Sequence, residues 1–470
     1  MDRTAETQVY SILTLPPPNG IIQLELIANH IFHENTESRK IMILIKEDDK
    51  CFKIILKSIL LLIACAGVGF FALLLTYSFP REKMKEHVLK NADYYSQNDF
   101  LVEGYPSTRL DLYTDATMLS AAICPASENK IADVMLAPRR RLLGNEDDRQ
   151  LIANYTCEDE TQVQYCYYPR YWHGYLTVLK PLLLFFSTED LHLIYFFVQS
   201  CLLLSLTAAL IKKNQLPLAV CFGIGVLLLN PMVTALNFQN ASIYLILLLS
   251  LLFLVCTKKF DKDYLVNNQC FAFFQIIGIA VAYFDFLTYP IVALGVPLLF
   301  LLYFSDTVDA KKRVIYVILH SVMFFAGYLG MYFCKWGLAT LLTDVNVFKD
   351  AYEEFMILLN ANSVEGAEIT ILEGLSRTIS NYINPPYLLL ITSGILYAML
   401  TVRKAKFTSN WLCRNFSTAL VALYPFCHML ASTHAYYHYF FVYREFVITI
   451  LAVFFLILDA ENLKLEKSPV

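Results

Sequence analysis

Residues 52–78 read FKIILKSILLLIACAGVGFFALLLTYS. Two lysines stand at the start, and no charge follows as far as Ser78. A helix of roughly 20 such residues crosses a hydrocarbon core of about 30 Å. The stretch therefore predicts a membrane span over residues 54–78, with Lys46, Lys50, Lys53 and Lys57 on its cytoplasmic side.

The rest of the chain repeats the pattern. Its 470 residues are 57% hydrophobic and only 17% charged, where a soluble domain carries about 25% charged residues. Further apolar runs lie near 191–211, 216–230, 236–256, 271–284, 288–304, 314–335, 387–402, 416–431 and 445–458. The expectation is an all-α polytopic membrane protein with about 10 transmembrane helices.

Lysine and arginine test that map, because they collect in cytoplasmic loops. Lys212 and Lys213 follow the second span; Lys258, Lys259 and Lys262 follow the fourth. Lys311, Lys312 and Arg313 follow the sixth; Arg403, Lys404, Lys406 and Arg414 follow the eighth; Lys464 and Lys467 follow the last. All fall on one side, which places both termini in the cytoplasm. Residues 1–50 then form a cytosolic tail, since the polar stretch 1–41 lacks the apolar core of a secretory signal. Residues 51–470 form a single transmembrane domain with outer loops at 79–190 and 336–386. The cytoplasmic loops are short and hold no Walker or Rossmann motif, and no GxSxG elbow occurs. No nucleic-acid role is expected.

Unusual polar residues gather on the outer side. In LDLYTDATMLSAA (110–122), Asp111 and Asp115 are four apart and share a helix face. Either could act as a general base toward a hydroxyl; the plainer alternative is a helix cap at Thr114 or Asp115. In YYPRYWHGYLTVLKPLLLFF (167–186), a short apolar stretch broken by Pro181 predicts an interfacial or re-entrant helix. Arg170, His173 and Lys180 enter it beside Tyr171, Trp172 and Tyr175. They read either as a cationic clamp for a lipid phosphate or as snorkelling cations in an aromatic belt. Asp285 in AYFDFLTYP is the sole acid between two spans, a candidate ligand or a turn residue.

HAYYHYFFVYRE (434–445) sets His434, Tyr437, His438, Arg444 and Glu445 at the lip of the last span. The spacing of His434 and His438 is compatible with a divalent metal, but no third fixed ligand accompanies it, so no cofactor is assigned. Arg444 reads as a phosphate ligand or half of a structural ion pair. VFKDAYEEFMILL and GLSRTISNYI predict short amphipathic helices on the outer face. Cys157 and Cys166 are the nearest pair for a disulfide, and NYT at 154–156 has the form of a glycosylation sequon.

The order of parts resembles the GT-C membrane glycosyltransferases: one span, a large outer loop holding an acid, then an aromatic-proline stretch leading into the second span. YPRYWHGYLTVLKPLLLFFSTEDLHLIYFFVQS is similar to their stretch before the second span, but lacks the double proline. The acid also lies further from the first span. YWHGY, YFDFLTYP and YHYFFVYRE resemble motifs of a bacterial membrane family associated with surface-polysaccharide loci. The resemblance implies a GT-C-like fold in the bacterial plasma membrane and a role in cell-envelope glycan assembly. A sugar would pass from a polyprenyl-phosphate carrier to a glycan, lipid or protein acceptor. Asp115 or Asp111 would take the acceptor proton; Arg170, His173, Lys180 and Arg444 would hold the leaving phosphate. Trp172, Tyr437 and their neighbours would stack on sugar faces. The alternatives are a flippase for lipid-linked glycans and a polysaccharide polymerase or ligase.

Overall fold

A computed structural model describes residues 36–144, 147–257, 268–359, 369–402 and 409–460. The basic clusters at 258–262, 403–406 and 464–467 and most of the expected tail lie outside these residues, as does 360–368 within the second expected loop. The chain divides into two compact units, Met1–Leu61 and Leu62–Val470. Helix α1 spans Thr36–Thr76.

The segment after α1 is a folded layer of short elements rather than an open loop. It holds α2 (Arg81–Leu89), α3 (Leu112–Ile123), α4 (Lys130–Leu136), β1 (Arg139–Leu142), α5 (Leu151–Thr156), β2 (Val163–Cys166) and α6 (Leu176–Leu183). Strands β1 and β2 pair antiparallel, with Arg139 opposite Cys166. The run of three arginines in β1 is neutralised locally. Arg139 and Arg141 both bond Asp148, which is fully buried and also accepts the Thr117 hydroxyl at 2.7 Å. Arg140 donates to the carbonyls of Asn154 and Cys157. Asn154 is itself fully buried and its Oδ1 accepts the Leu142 amide, so the asparagine of the NYT sequon is inside the fold. Cys157 and Cys166 are free thiols.

The remaining elements are α7 (Thr188–Lys212), α8 (Leu216–Leu228), α9 (Pro231–Leu236), α10 (Phe238–Cys256), α11 (Asn268–Phe284), α12 (Val292–Phe304) and α13 (Ala310–Leu342). They continue with α14 (Val347–Leu359), α15 (Ile371–Ser380), α16 (Pro385–Thr401), α17 (Ser409–Ala422), α18 (Pro425–His428), α19 (Ser432–Tyr437), α20 (Tyr439–Val442) and α21 (Val447–Asp459). Helix starts follow local chemistry. Ser187 and Asp190 form a capping box on α7, and Thr370 and Glu373 form one on α15. Asp309 caps α13, and Asn384 followed by two prolines opens α16.

Five described helical stretches are long and apolar enough to cross a membrane: Phe52–Thr76, Thr188–Lys212, Phe238–Cys256, Ala310–Leu342 and Tyr439–Asp459. The pair α15–α16, bent by 84°, makes a sixth if it is one broken span. Leu216–Leu228, Gln269–Phe284 and Val292–Phe304 are apolar but shorter. Apolar side chains such as Phe71, Leu204 and Leu389 are exposed on these surfaces, as an all-α membrane protein requires. The expected runs at 216–230, 271–284 and 288–304 thus coincide with helices too short for a full untilted crossing.

Two glycines set the tightest helix contact. A Cβ on Gly278 of α11 would lie 2.0 Å from the Phe324 carbonyl oxygen of α13, and one on Gly327 would lie 2.2 Å from that of Gln275. The backbones touch directly, as small residues permit between apolar helices. Helix α21 packs against α8, α12, α16 and α17, which places its first turn in the middle of the bundle.

Candidate functional site

Helix α10 has no cap of its own. Asn237 precedes it in extended backbone, with no side-chain cap bond. Asp115, from α3, supplies the cap: the amides of Phe238 and Gln239 donate to its two carboxylate oxygens at 2.9 and 3.0 Å. Asp115 is fully buried. Burial pushes its carboxyl up to about 8, and the neighbouring Asp111 adds to the rise against the two amide bonds. The sequence offered Thr114 or Asp115 as the cap of α3; the structure gives that place to Asp111, which accepts the Thr114 amide at 3.1 Å and hydroxyl at 2.9 Å. Asp115 is therefore tied to a helix end on both oxygens, unlike a free general base.

A polar seam runs from this point. Asn237 Nδ2 donates to the Asp111 carbonyl at 3.1 Å, and Asn240 Nδ2 donates to Asn237 Oδ1. The Tyr289 hydroxyl donates to the Asn240 carbonyl. The Arg444 guanidinium lies 5.6 Å from the Tyr289 ring and 4.9 Å from that of Tyr443. Arg444 is fully buried; its Nε donates to the Leu229 carbonyl at 2.8 Å, while Nη2 has no partner.

Beside the seam is a groove of about 760 Å³. Asn91, Tyr94, Glu189, Asp190 and His192 line it together with Leu193, Phe196 and Met232. His192 stacks on Phe238 at 4.5 Å. Its Nδ1 lies 3.3 Å from the Ala235 carbonyl, which can only accept, so Nδ1 carries the proton. Nε2 is left as a buried acceptor with no partner. Neither Tyr94 nor His192 was singled out from the sequence.

The 167–186 stretch disperses its candidates. Arg170 faces Asp350 and Glu354 of α14, each at 3.3 Å, so its charge is already matched. Trp172 is buried and donates to the Met331 carbonyl at 2.7 Å, in the core rather than on a sugar-binding face. His173 holds a left-handed φ of 57°. Its Nε2 donates to the Tyr168 carbonyl at 2.7 Å, and burial pushes the imidazole down to about 3, so the ring is neutral. Lys180 points away from all of these, with its ammonium 3.7 Å from the centre of the Tyr77 ring. Burial pushes that lysine down to about 8. Lys335, not foreseen as special, is fully buried in α13 and donates to the carbonyls of Val134 and Met135 at the end of α4.

The turn after α11 joins the two regions. Phe286 packs on Tyr171, His173 and Tyr175 at 5.1–5.2 Å, and Tyr289 lies under Arg444. Asp285, nearly buried, accepts the Thr288 amide at 2.8 Å and its hydroxyl. Burial pushes its carboxyl up to about 6, opposed by those bonds.

His428 and Glu445 were not among the expected ligands. His428 Nδ1 lies 2.8 Å from Glu445 Oε1, and its Nε2 lies 2.9 Å from His434 Nδ1. His434 and His438 have ring centres 4.7 Å apart. Tyr437 stays at the surface, 40% exposed. Histidines whose nitrogens face one another share a proton rather than point at a common ion. Among the described residues, no group of three or more His, Cys, Asp or Glu could hold a metal. The structure thus links Asp111 and Asp115 to Arg444 through Asn237, Asn240 and Tyr289, sets His434 beside His438 and His428, and keeps Arg170 and Lys180 apart with partners of their own. No family model matches this chain, and no curated protein or solved structure matches it either.

Proposed function

We propose that this chain is a membrane glycosyltransferase. It moves a sugar from a polyprenyl-phosphate carrier to an acceptor on the outer face of the bacterial plasma membrane, in cell-envelope glycan assembly. The observation that carries the reading is the groove: acceptor and aromatic groups, Tyr94 and His192, share its lining with apolar Leu193, Phe196 and Met232, which are exposed. A ligand with a hydroxyl-rich head and an isoprenoid tail fits that mixed chemistry. The His192 acceptor nitrogen suits a sugar hydroxyl, and Tyr94 offers a ring to a sugar face.

Arg444 supports the phosphate end. Its charge is buried, one guanidinium nitrogen is unpartnered, and it bonds Leu229 just before the α9 wall of the groove. A leaving phosphate supplies the missing acceptor. Asp115 serves by fixing the first turn of α10, and with it Phe238, behind His192.

The test is turnover of polyprenyl-phosphate sugars by the purified protein, wild type against His192→Phe. Sugar release or transfer by the wild type, reduced in the folded variant, supports the reading. Transbilayer movement of the carrier without release of sugar sinks it in favour of a flippase.

A further inference from the structure

Glu445, His428 and His434 form a continuous buried chain of two hydrogen bonds, 2.8 and 2.9 Å long. Their exposures are 0%, 7% and 6%. A carboxylate can only accept, so His428 Nδ1 carries the proton of the first bond. In the neutral state of His428 its Nε2 is a lone pair, and His434 Nδ1 donates to it. His434 Nε2 is left as a second lone pair at the end of the chain, with no protein partner among the described residues.

Three more polar atoms on these residues and their neighbours, the Thr433 hydroxyl, Glu445 Oε2 and His438 Nδ1, are buried and unpartnered. Buried polar atoms are paired almost everywhere in folded proteins. Several left open in one cluster mark a place where hydroxyl groups or water complete the bonding. The other charged groups near the chain are Asp285, within electrostatic reach of His428, Arg109, within reach of His438, and Arg444, next to Glu445. Burial and the two adjacent imidazoles hold His434 well below the usual histidine range, so it rests neutral.

We propose that Glu445, His428 and His434 form a proton relay, with His434 Nε2 as the group that takes the proton of the acceptor hydroxyl. This rests on the glycosyl-transfer reading. In the step, the acceptor oxygen forms a bond to the anomeric carbon while the bond from that carbon to the phosphate oxygen breaks. The phosphate leaves with the electron pair. The hydroxyl proton goes to His434 Nε2, the Nδ1 proton moves to His428 Nε2, and the His428 Nδ1 proton moves onto or toward Glu445. His434 is the catalytic residue; His428 and Glu445 act through it as positioning residues.

Two measurements on the full-length protein in detergent test this. The first is transfer from a mixture of polyprenyl-phosphate and polyprenyl-diphosphate sugars to alkyl glucosides. His434→Gln lowers kcat by about 10²-fold or more with KM for the donor little changed. Glu445→Gln lowers kcat less and shifts the acidic limb of the pH profile, and Glu445→Asp restores part of the loss. A His434→Gln protein with wild-type kcat overturns the proposal. The second is nitrogen NMR of histidine-labelled protein, which needs no turnover. The relay requires His434 protonated at Nδ1 and bare at Nε2, with the preference weakened in Glu445→Gln; the opposite tautomer overturns it. An inactive wild type with the required tautomer leaves the proton chain standing and rejects sugar transfer.

Discussion

The Asp115 carboxylate accepts the Phe238 amide at 2.9 Å, joining residues 123 positions apart. One short segment thereby fixes the start of a long apolar helix to which it has no sequence proximity. Asp115→Ala removes a cap and leaves two buried amides unsatisfied. Caps of this kind are worth about 0.5–2 kcal/mol, and the unsatisfied donors add to that. Thermal unfolding in detergent is expected to show the loss, with α10 losing amide-exchange protection first at Phe238 and Gln239.

The same carboxyl imposes a pH dependence. Its folded value is pushed up to about 8 by burial, whereas an unfolded aspartate titrates near 3.9. Between these values the folded state binds more protons, so stability falls as pH rises through the window. Wild type compared with Asp115→Asn is expected to converge or cross between about pH 4 and pH 8. Parallel stability curves would remove the assignment.

His192→Phe keeps a ring against Phe238 but deletes the acceptor nitrogen in the groove. Affinity for a polyprenyl-phosphate sugar is expected to fall about tenfold, the size of one hydrogen bond of about 1.4 kcal/mol. Affinity for the bare polyprenyl phosphate stays the same, because only the sugar end meets His192. Equal losses for both ligands would place the sugar elsewhere.

Trp172 and Tyr437 separate packing from binding. Trp172→Ala empties a fully buried site and is expected to destabilise by about 3–5 kcal/mol. Tyr437→Ala lies at the surface and is expected to change stability by no more than about 0.5 kcal/mol. Only the Tyr437 change can report a role in ligand stacking without unfolding the protein.

Arg170 gives the complementary case. Its pairs with Asp350 and Glu354 are partly exposed, and such pairs are worth about 0–1 kcal/mol. A double-mutant cycle between Arg170→Ala and Asp350→Ala is expected to give a coupling in that range. A large loss of transfer in Arg170→Ala alone, with this small coupling, would return the residue to the phosphate site.

The helical, apolar character was legible from runs such as 52–78, because length and lack of charge are properties of contiguous sequence. So were the two short helices at 347–359 and 371–380, whose apolar residues recur at helical spacing. The site was only partly legible. Asp115 stood out as an acid near an apolar run, but its partner is an amide beyond six intervening α-helices. Trp172 and Tyr437 looked alike as aromatics beside polar residues; burial alone tells them apart. His428 was hidden inside an apolar run, and its role appears only when the chain folds back to set it against Glu445 and His434. A charged residue in an apolar helix was the one signal that could have found Lys335.

Lys335 also constrains the order of folding. The carbonyls that end α4 at Val134 and Met135 wait for an ammonium some 200 positions downstream. Ser107 likewise waits for the Tyr443 hydroxyl, 336 positions later. The segment between the first two long helices is delivered early by the ribosome but completed late. It acquires these bonds only when Lys335 of α13 and Tyr443, just before α21, have been made, so a chain truncated before them leaves this layer unfinished.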